Sequence, residues 1–74
     1  MNCWALYHNT RDFPGLYVGR RFILDNPTPE HFAHTSIEQV RAWVRKNAAS
    51  HGQGLLTRLK RDPADDPCIV EAWI

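Results

Sequence analysis

The chain has few of the residues and runs that mark specialised protein classes. Its 74 residues include only 4 glycines and 5 prolines, which excludes collagen-like and low-complexity sequences. No apolar run approaches the roughly 20 residues of a membrane-spanning helix. The first residues (MNCW) lack the basic and apolar stretches of a signal peptide. We therefore expect a cytoplasmic protein without a membrane segment.

The net charge is small, and the chain has only two cysteines. The formal net charge is +1 and the pI is near 7.9, whereas nucleic-acid-binding domains usually have a pI above about 9. The two cysteines, Cys3 and Cys68, lie near opposite ends of the sequence. In a chain without an export signal, such a pair is typical of reduced thiols rather than a disulfide.

Sequence motifs for catalysis and metal binding are absent. The chain contains no G-x-S-x-G, P-loop, G-x-G-x-x-G or C-x-x-C pattern. His31 and His34 have H-x-x-H spacing, but on a strand they would point to opposite faces. Asp62, Asp65 and Asp66 lack the glycine turn and bidentate glutamate of a calcium loop. We predict no enzyme activity, no cofactor and no metal site.

The residues that are present indicate one small globular domain over residues 1–74, since 43% are hydrophobic and 11% aromatic. Three segments have strand composition: 3–8 (CWALYH), 16–24 (LYVGRRFIL) and 68–74 (CIVEAWI). The first two are joined by NTRDFPG, which has the composition of a hairpin loop. Gly19, inside the second strand, indicates a bulge or a close backbone approach.

Two segments allow alternatives. Residues 30–34 (EHFAH) form either a third strand or a first helical turn, and we favour the strand because a stronger helix start lies just downstream. Residues 55–60 (LLTRLK) form either a short strand or an extended crossing segment, and their weak alternation does not decide between these.

One amphipathic helix is predicted from residue 36 to about 49. Thr35 and Glu38 have the spacing of a capping box at its start. Gly52 suits a left-handed cap at its end. A stripe of apolar side chains at three- and four-residue spacing faces the sheet: Ile37, Val40, Val44 and Ala48.

The expected fold is α+β: a small, antiparallel-rich sheet of three to four strands with one helix packed on one face, in the order ββ(β)αβ. We expect the last strand to lie beside the first. Val70 and Ala72 are small enough to fit beneath the helix, which places Ile69 and Trp73 on the opposite face.

The phrases LYVGRRF and DPADDPCIVEAWI resemble those of small uncharacterised bacterial proteins. The resemblance implies no function.

If the helix covers one face of the sheet, the other still carries more large apolar surface than a small monomer exposes. We therefore predict a small binding or accessory protein that acts by protein–protein contact, with a protein partner or a second copy in a homodimer. The predicted interaction residues are Trp4, Tyr17, Ile69 and Trp73. The alternative that residues 55–67 close this face internally stays open.

A second functional hypothesis rests on the basic residues. Together with exposed Trp or Tyr, they would form a stacking platform for single-stranded nucleic acid. This surface would consist of Arg41, Arg45, Lys46, Arg58 and Lys60. Neighbouring carboxylates weaken the hypothesis because they neutralise much of the positive field.

Overall fold

The computed structural model describes residues 1–59 and 67–74. These residues form an antiparallel five-stranded sheet with the strand order β3-β2-β1-β5-β4, and one helix packs on it. The predicted α+β class is confirmed, whereas the described part of the chain holds more strands than the expected three to four. The elements are β1 (Asn2–His8), β2 (Tyr17–Ile23), β3 (Asn26–His34), α1 (Ile37–Ser50), β4 (Arg58–Leu59) and β5 (Ile69–Trp73).

Strands β1 and β2 form the predicted hairpin. At the start of its loop Asn9 has a positive φ of 55°, a conformation that asparagine tolerates better than most residues. The Asn9 side-chain oxygen accepts a hydrogen bond of 2.7 Å from the Gly15 amide. Gly15 has a φ of 75°, which glycine adopts without a steric penalty. The residues of this loop therefore favour the backbone conformation that joins β1 to β2.

The predicted strand at residues 30–34 is confirmed, but β3 begins earlier, at Asn26. A two-residue turn precedes it, in which Leu24 has a positive φ of 55°. Pro27 and Pro29 are accommodated because β3 lies at the edge of the sheet and pairs only with β2. The residue before each proline is also biased toward extended backbone.

The helix α1 begins at Ile37, and its N-cap is Ser36, which makes no side-chain capping hydrogen bond. The predicted Thr35–Glu38 capping box is therefore wrong. The Glu38 carboxylate instead accepts a hydrogen bond from Arg41, one turn further along the helix. The Glu38 carboxylate therefore forms an ion pair with Arg41 in place of the predicted capping hydrogen bond.

The helix ends as predicted at a left-handed glycine, Gly52, with a φ of 77°. The Gly52 amide donates to the Ala49 carbonyl at 3.0 Å, and the Gln53 amide donates to the Ala48 carbonyl at 2.8 Å. These two bonds form a Schellman motif, which satisfies the last helical carbonyls and turns the chain away from the helix axis.

The core lies between α1 and the central strand β1. It consists of the buried residues Trp4, Leu6, Val40, Val44 and Ala48. The close approach predicted at Gly19 is confirmed. A Cβ atom there would lie 2.9 Å from Val40 Cγ1 and 3.2 Å from two atoms of the Trp43 ring. Glycine therefore lets the helix sit directly on β2.

Strand β5 lies beside β1, as predicted, but its faces are not those expected. Trp73 pairs with Trp4 and packs against the helix-side core. Glu71, which is 3% exposed, occupies the same face, whereas Ala72 pairs with Ala5 on the other. The placement of Trp73 away from the helix is therefore wrong. The register of β1 and β5 shifts between Leu6 and Tyr7, and this irregularity breaks the simple alternation.

The second face of the sheet is partly covered by the β1–β2 loop. Phe13 from this loop lies 5.8 Å, ring centre to ring centre, from His31 on β3. Val18, on the same face, is only 3% exposed. The alternative in which residues 55–67 cover this face rests in part on residues 60–66, which lie outside the described residues.

Candidate functional site

A surface cleft runs between α1 and residues 54–56, beside the end of β5. Its volume is about 260 Å³, and most of its lining is apolar. We call it the α1–β5 groove. It is lined by Arg41, Val44, Arg45, Gly54, Leu55, Leu56 and Trp73.

The segment that forms one wall of the groove is held at both ends. Before it, the Schellman motif at Gly52 fixes the direction of the chain. After it, Thr57 and Ile74 exchange backbone hydrogen bonds of 2.7 and 2.9 Å. Strand β4 then pairs with β5. The groove wall is therefore anchored to the helix end and to the sheet.

The two leucines of this wall have different environments. Leu56 is partly buried and packs against the core. Leu55 is 92% exposed, more than any other large hydrophobic residue in the described ranges. It lines the same cleft as the half-buried Trp73. Leu55 and Trp73 therefore place two large apolar side chains in one cleft.

One charged residue of the groove, Arg41, is fully engaged inside the protein. Its Nε donates to both carboxylate oxygens of Glu71, at 2.7 and 3.1 Å. Its terminal nitrogen donates to Glu38. The Glu71 side chain is 1% exposed, and its hydrogen bond to Arg41 raises the pKa of that guanidinium above its ordinary value. Arg41 therefore neutralises a buried carboxylate and offers no free charge to a ligand.

Two other arginines carry free charge beside the groove. Arg45 lines it from the helix side. Arg58, on β4, is directly opposite Trp73 in the sheet register, so the two side chains lie on the same face. Within residues 1–59 and 67–74, neither guanidinium makes an ion pair. Arg45 thus belongs to the groove lining, and Arg58 lies beside Trp73, which is also part of that lining.

A second polar cluster joins β3 to the end of α1. Glu30 accepts hydrogen bonds from Arg21, Asn47 and His51, the last at 2.9 Å. These donors, His51 first, lower the pKa of Glu30 to about 2. Asn47 also accepts a hydrogen bond of 2.9 Å from the indole nitrogen of the buried Trp4. The cluster fastens the helix to the edge strand.

The four predicted interaction residues do not share a surface. Trp4 is fully buried. Tyr17 packs against the core and stacks on His8 at 4.2 Å. Ile69 pairs with Tyr7 on the other face of the sheet. Trp73 alone of the four lines the groove.

The basic residues predicted for a nucleic-acid surface are also divided. Arg41 is neutralised, Arg45 lines the groove, and Arg58 lies beside Trp73 on β4. Lys46 is exposed on α1 without lining the groove. Lys60 lies outside the described residues.

Metal-binding groups are not found in the described part of the chain, where no three His, Cys, Asp or Glu side chains come together. Asp62, Asp65 and Asp66 lie outside it. Cys3 and Cys68 are not joined in a disulfide, and burial raises the pKa of Cys3.

No protein-family model, curated protein or solved structure matches this chain. Among the described residues, no helix is both long enough and apolar enough to cross a bilayer.

Sequence reasoning missed two residues: Leu55, which lines the groove, and Glu71, which binds the groove residue Arg41. The signal for Glu71 was present: a carboxylate in the middle of CIVEAWI, with apolar residues on both sides, needs a cation if the strand is buried on either face. Leu55 gave no such signal, because its exposure depends on where the chain turns after Gly52.

Proposed function

We propose that this chain is a small binding or accessory protein that acts by protein–protein contact, and that the α1–β5 groove is its docking site. The observation that carries the proposal is Leu55, 92% exposed, beside Trp73 in a mostly apolar cleft. Burying a leucine side chain contributes about 1.5–3 kcal/mol. Tryptophan residues in partly enclosed sites are frequent anchors of protein interfaces.

The size of the groove supports a macromolecular partner rather than a small molecule. Its volume of about 260 Å³ lies below the ~300–1,000 Å³ of typical small-molecule pockets. It accommodates one or two large side chains of an approaching chain. A cytosolic location is part of the proposal, since Cys3 and Cys68 are not joined in the disulfide that is common in secreted proteins.

The nucleic-acid alternative has weaker support. A platform for single strands needs several aromatic rings along a row of free cations. Among the described groove residues only Trp73 is aromatic, and Arg41 is already neutralised by Glu71 and Glu38.

The test is affinity capture from a lysate of the source cells at high salt, with Leu55→Ser as the probe variant. Leu24, which is 63% exposed and lies at the β2–β3 turn, provides the matched control Leu24→Ser. We expect a partner that the wild type and Leu24→Ser retain and that Leu55→Ser loses. Equal retention by both variants would contradict the groove as the docking site. Loss of all retention at high salt, with binding to an oligonucleotide at low salt, would favour the nucleic-acid alternative.

A further inference from the structure

We propose that the occupant of the α1–β5 groove is an acidic, apolar peptide segment of a partner protein: a large apolar side chain with Asp or Glu close to it in sequence. This inference rests on the proposed function and adds the chemistry of the partner. It is carried by Arg45, which lines the groove, and by Arg58, which lies beside Trp73 in the sheet register. Neither makes an ion pair among residues 1–59 and 67–74.

The helix side of the groove presents Arg45. It lies one turn beyond Arg41, which is held by the buried Glu71 and by Glu38. Because Arg41 uses the neighbouring carboxylates, Arg45 makes no ion pair in the part of the chain that the structure describes. Its guanidinium is therefore free to pair with a carboxylate from outside, with two parallel hydrogen bonds where the geometry permits.

The sheet side presents Arg58. In an antiparallel pair, directly opposite residues have Cβ atoms about 5 Å apart, so Arg58 stands next to Trp73. A peptide that placed an apolar side chain against Trp73 would come close to Arg45 in the groove lining and to Arg58 on the neighbouring strand. Carboxylates beside that apolar side chain would be attracted to these two cations, whereas lysine or arginine there would be repelled.

A second copy of this chain is a poorer occupant. Its carboxylates at Glu30, Glu38 and Glu71 are already ion-paired. The exposed Leu24 is followed by Asp25, so the β2–β3 turn of a second copy is the competing occupant, and Leu24→Ser tests it.

The test begins with selection from a random-peptide display library on the wild-type chain. A selected peptide, synthesised with a fluorescent label, is then titrated by anisotropy against Arg45→Glu, Arg58→Glu and the control Lys46→Glu. Lys46→Glu makes the same change in net charge on the same helix, but Lys46 does not line the groove. The two arginine variants lie on different elements, so one remains informative if the other fails to fold, and thermal melts identify which variants are folded.

We expect the selected peptides to carry Asp or Glu within a few positions of a large apolar residue. Each arginine variant should weaken binding at least about threefold, as for single exposed ion pairs. Lys46→Glu should change affinity little, and Leu55→Ser should abolish binding.

Other outcomes overturn the inference in distinguishable ways. If the selected peptides are apolar without an acidic preference and do not bind Leu55→Ser, the acidic partner is overturned and the proposed function stands. Failure to select any peptide, or peptides indifferent to Leu55→Ser, would overturn both. Equal weakening by all three charge variants, with binding to an oligothymidine probe, would favour nucleic acid. Self-association that Leu24→Ser abolishes would identify a second copy as the occupant.

Discussion

The contact between α1 and β2 at Gly19 allows a sharp test of the fold. In Gly19→Ala, the new methyl carbon would lie 2.9 Å from Val40 Cγ1 and 3.2 Å from the Trp43 ring. Carbon atoms in contact prefer about 3.5–4.0 Å. Val40 is fully buried, and valine in a helix has one strongly preferred rotamer, so it cannot rotate away at low cost. The helix must therefore shift off the sheet.

The magnitude follows from two opposing effects. An extra methyl group in a filled core costs about 1–3 kcal/mol. Replacing glycine inside a strand recovers about 0.5–1 kcal/mol of backbone entropy. With the middle of each range, the net loss of unfolding free energy is about 1.25 kcal/mol, which for a domain of this size lowers Tm by roughly 5–10 °C.

The assay is urea denaturation of Gly19→Ala, Val40→Ala and the double variant. Truncating Val40 removes the atom that Gly19→Ala would strike. The double variant should therefore lose less stability than the sum of the single losses. A Gly19→Ala protein as stable as the wild type, or strict additivity in the double variant, would refute the close approach of helix and sheet.

Three further predictions address other contacts. Arg41→Met should lower the unfolding free energy, measured by urea denaturation, by about 3 kcal/mol because it leaves the buried Glu71 unpaired. The double variant Arg41→Met/Glu71→Leu should recover most of this loss. Additive losses in the double variant would contradict the pairing. Leu24→Gly should raise the unfolding free energy by up to about 1 kcal/mol, because leucine is strained at its positive φ of 55°, and a lower Tm would show that the turn relaxes differently. The hydrogen-bond partners of Glu30 lower its pKa from 4.5 to about 2, so its stabilising contribution should be complete above pH 4.5 and be lost as the pH falls toward 2. In Glu30→Gln, Tm should depend less on pH over that range. A pH dependence of Tm equal to that of the wild type would contradict the cluster.

Local signals in the sequence predicted much of the fold. The NTRDFPG turn indicated the β1–β2 hairpin, and Gly52 indicated the end of the helix. Residues 30–34 were predicted as a strand, and the last strand was predicted beside the first. Each of these depends on turn chemistry or on the restricted set of connections between neighbouring elements.

The start of the helix was placed one residue too early, because two capping patterns overlap there. Thr35 and Glu38 fit the spacing, and so do Ser36 and Gln39. The structure uses Ser36 as the N-cap without a side-chain bond. Choosing between overlapping caps needs the path of the incoming strand, which no local pattern contains.

The groove was beyond prediction for a different reason. Both faces of CIVEAWI carry apolar residues, so alternation alone does not identify the inner face. The small side chains of Val70 and Ala72 favoured one assignment. The pairing of Glu71 with Arg41 favoured the other, and it depends on residues 30 positions apart. Trp73 lines the groove as a consequence of that pairing.

Protein contact through the groove is tested most directly by site-specific photo-crosslinking. A photo-reactive amino acid replaces Leu55 in one preparation and Leu24, the exposed leucine outside the groove, in another. Both are irradiated in a lysate of the source cells. We predict one discrete crosslinked protein from position 55 and none from position 24. Crosslinks of equal yield from both positions, or none from position 55 while position 24 reacts, would contradict the account.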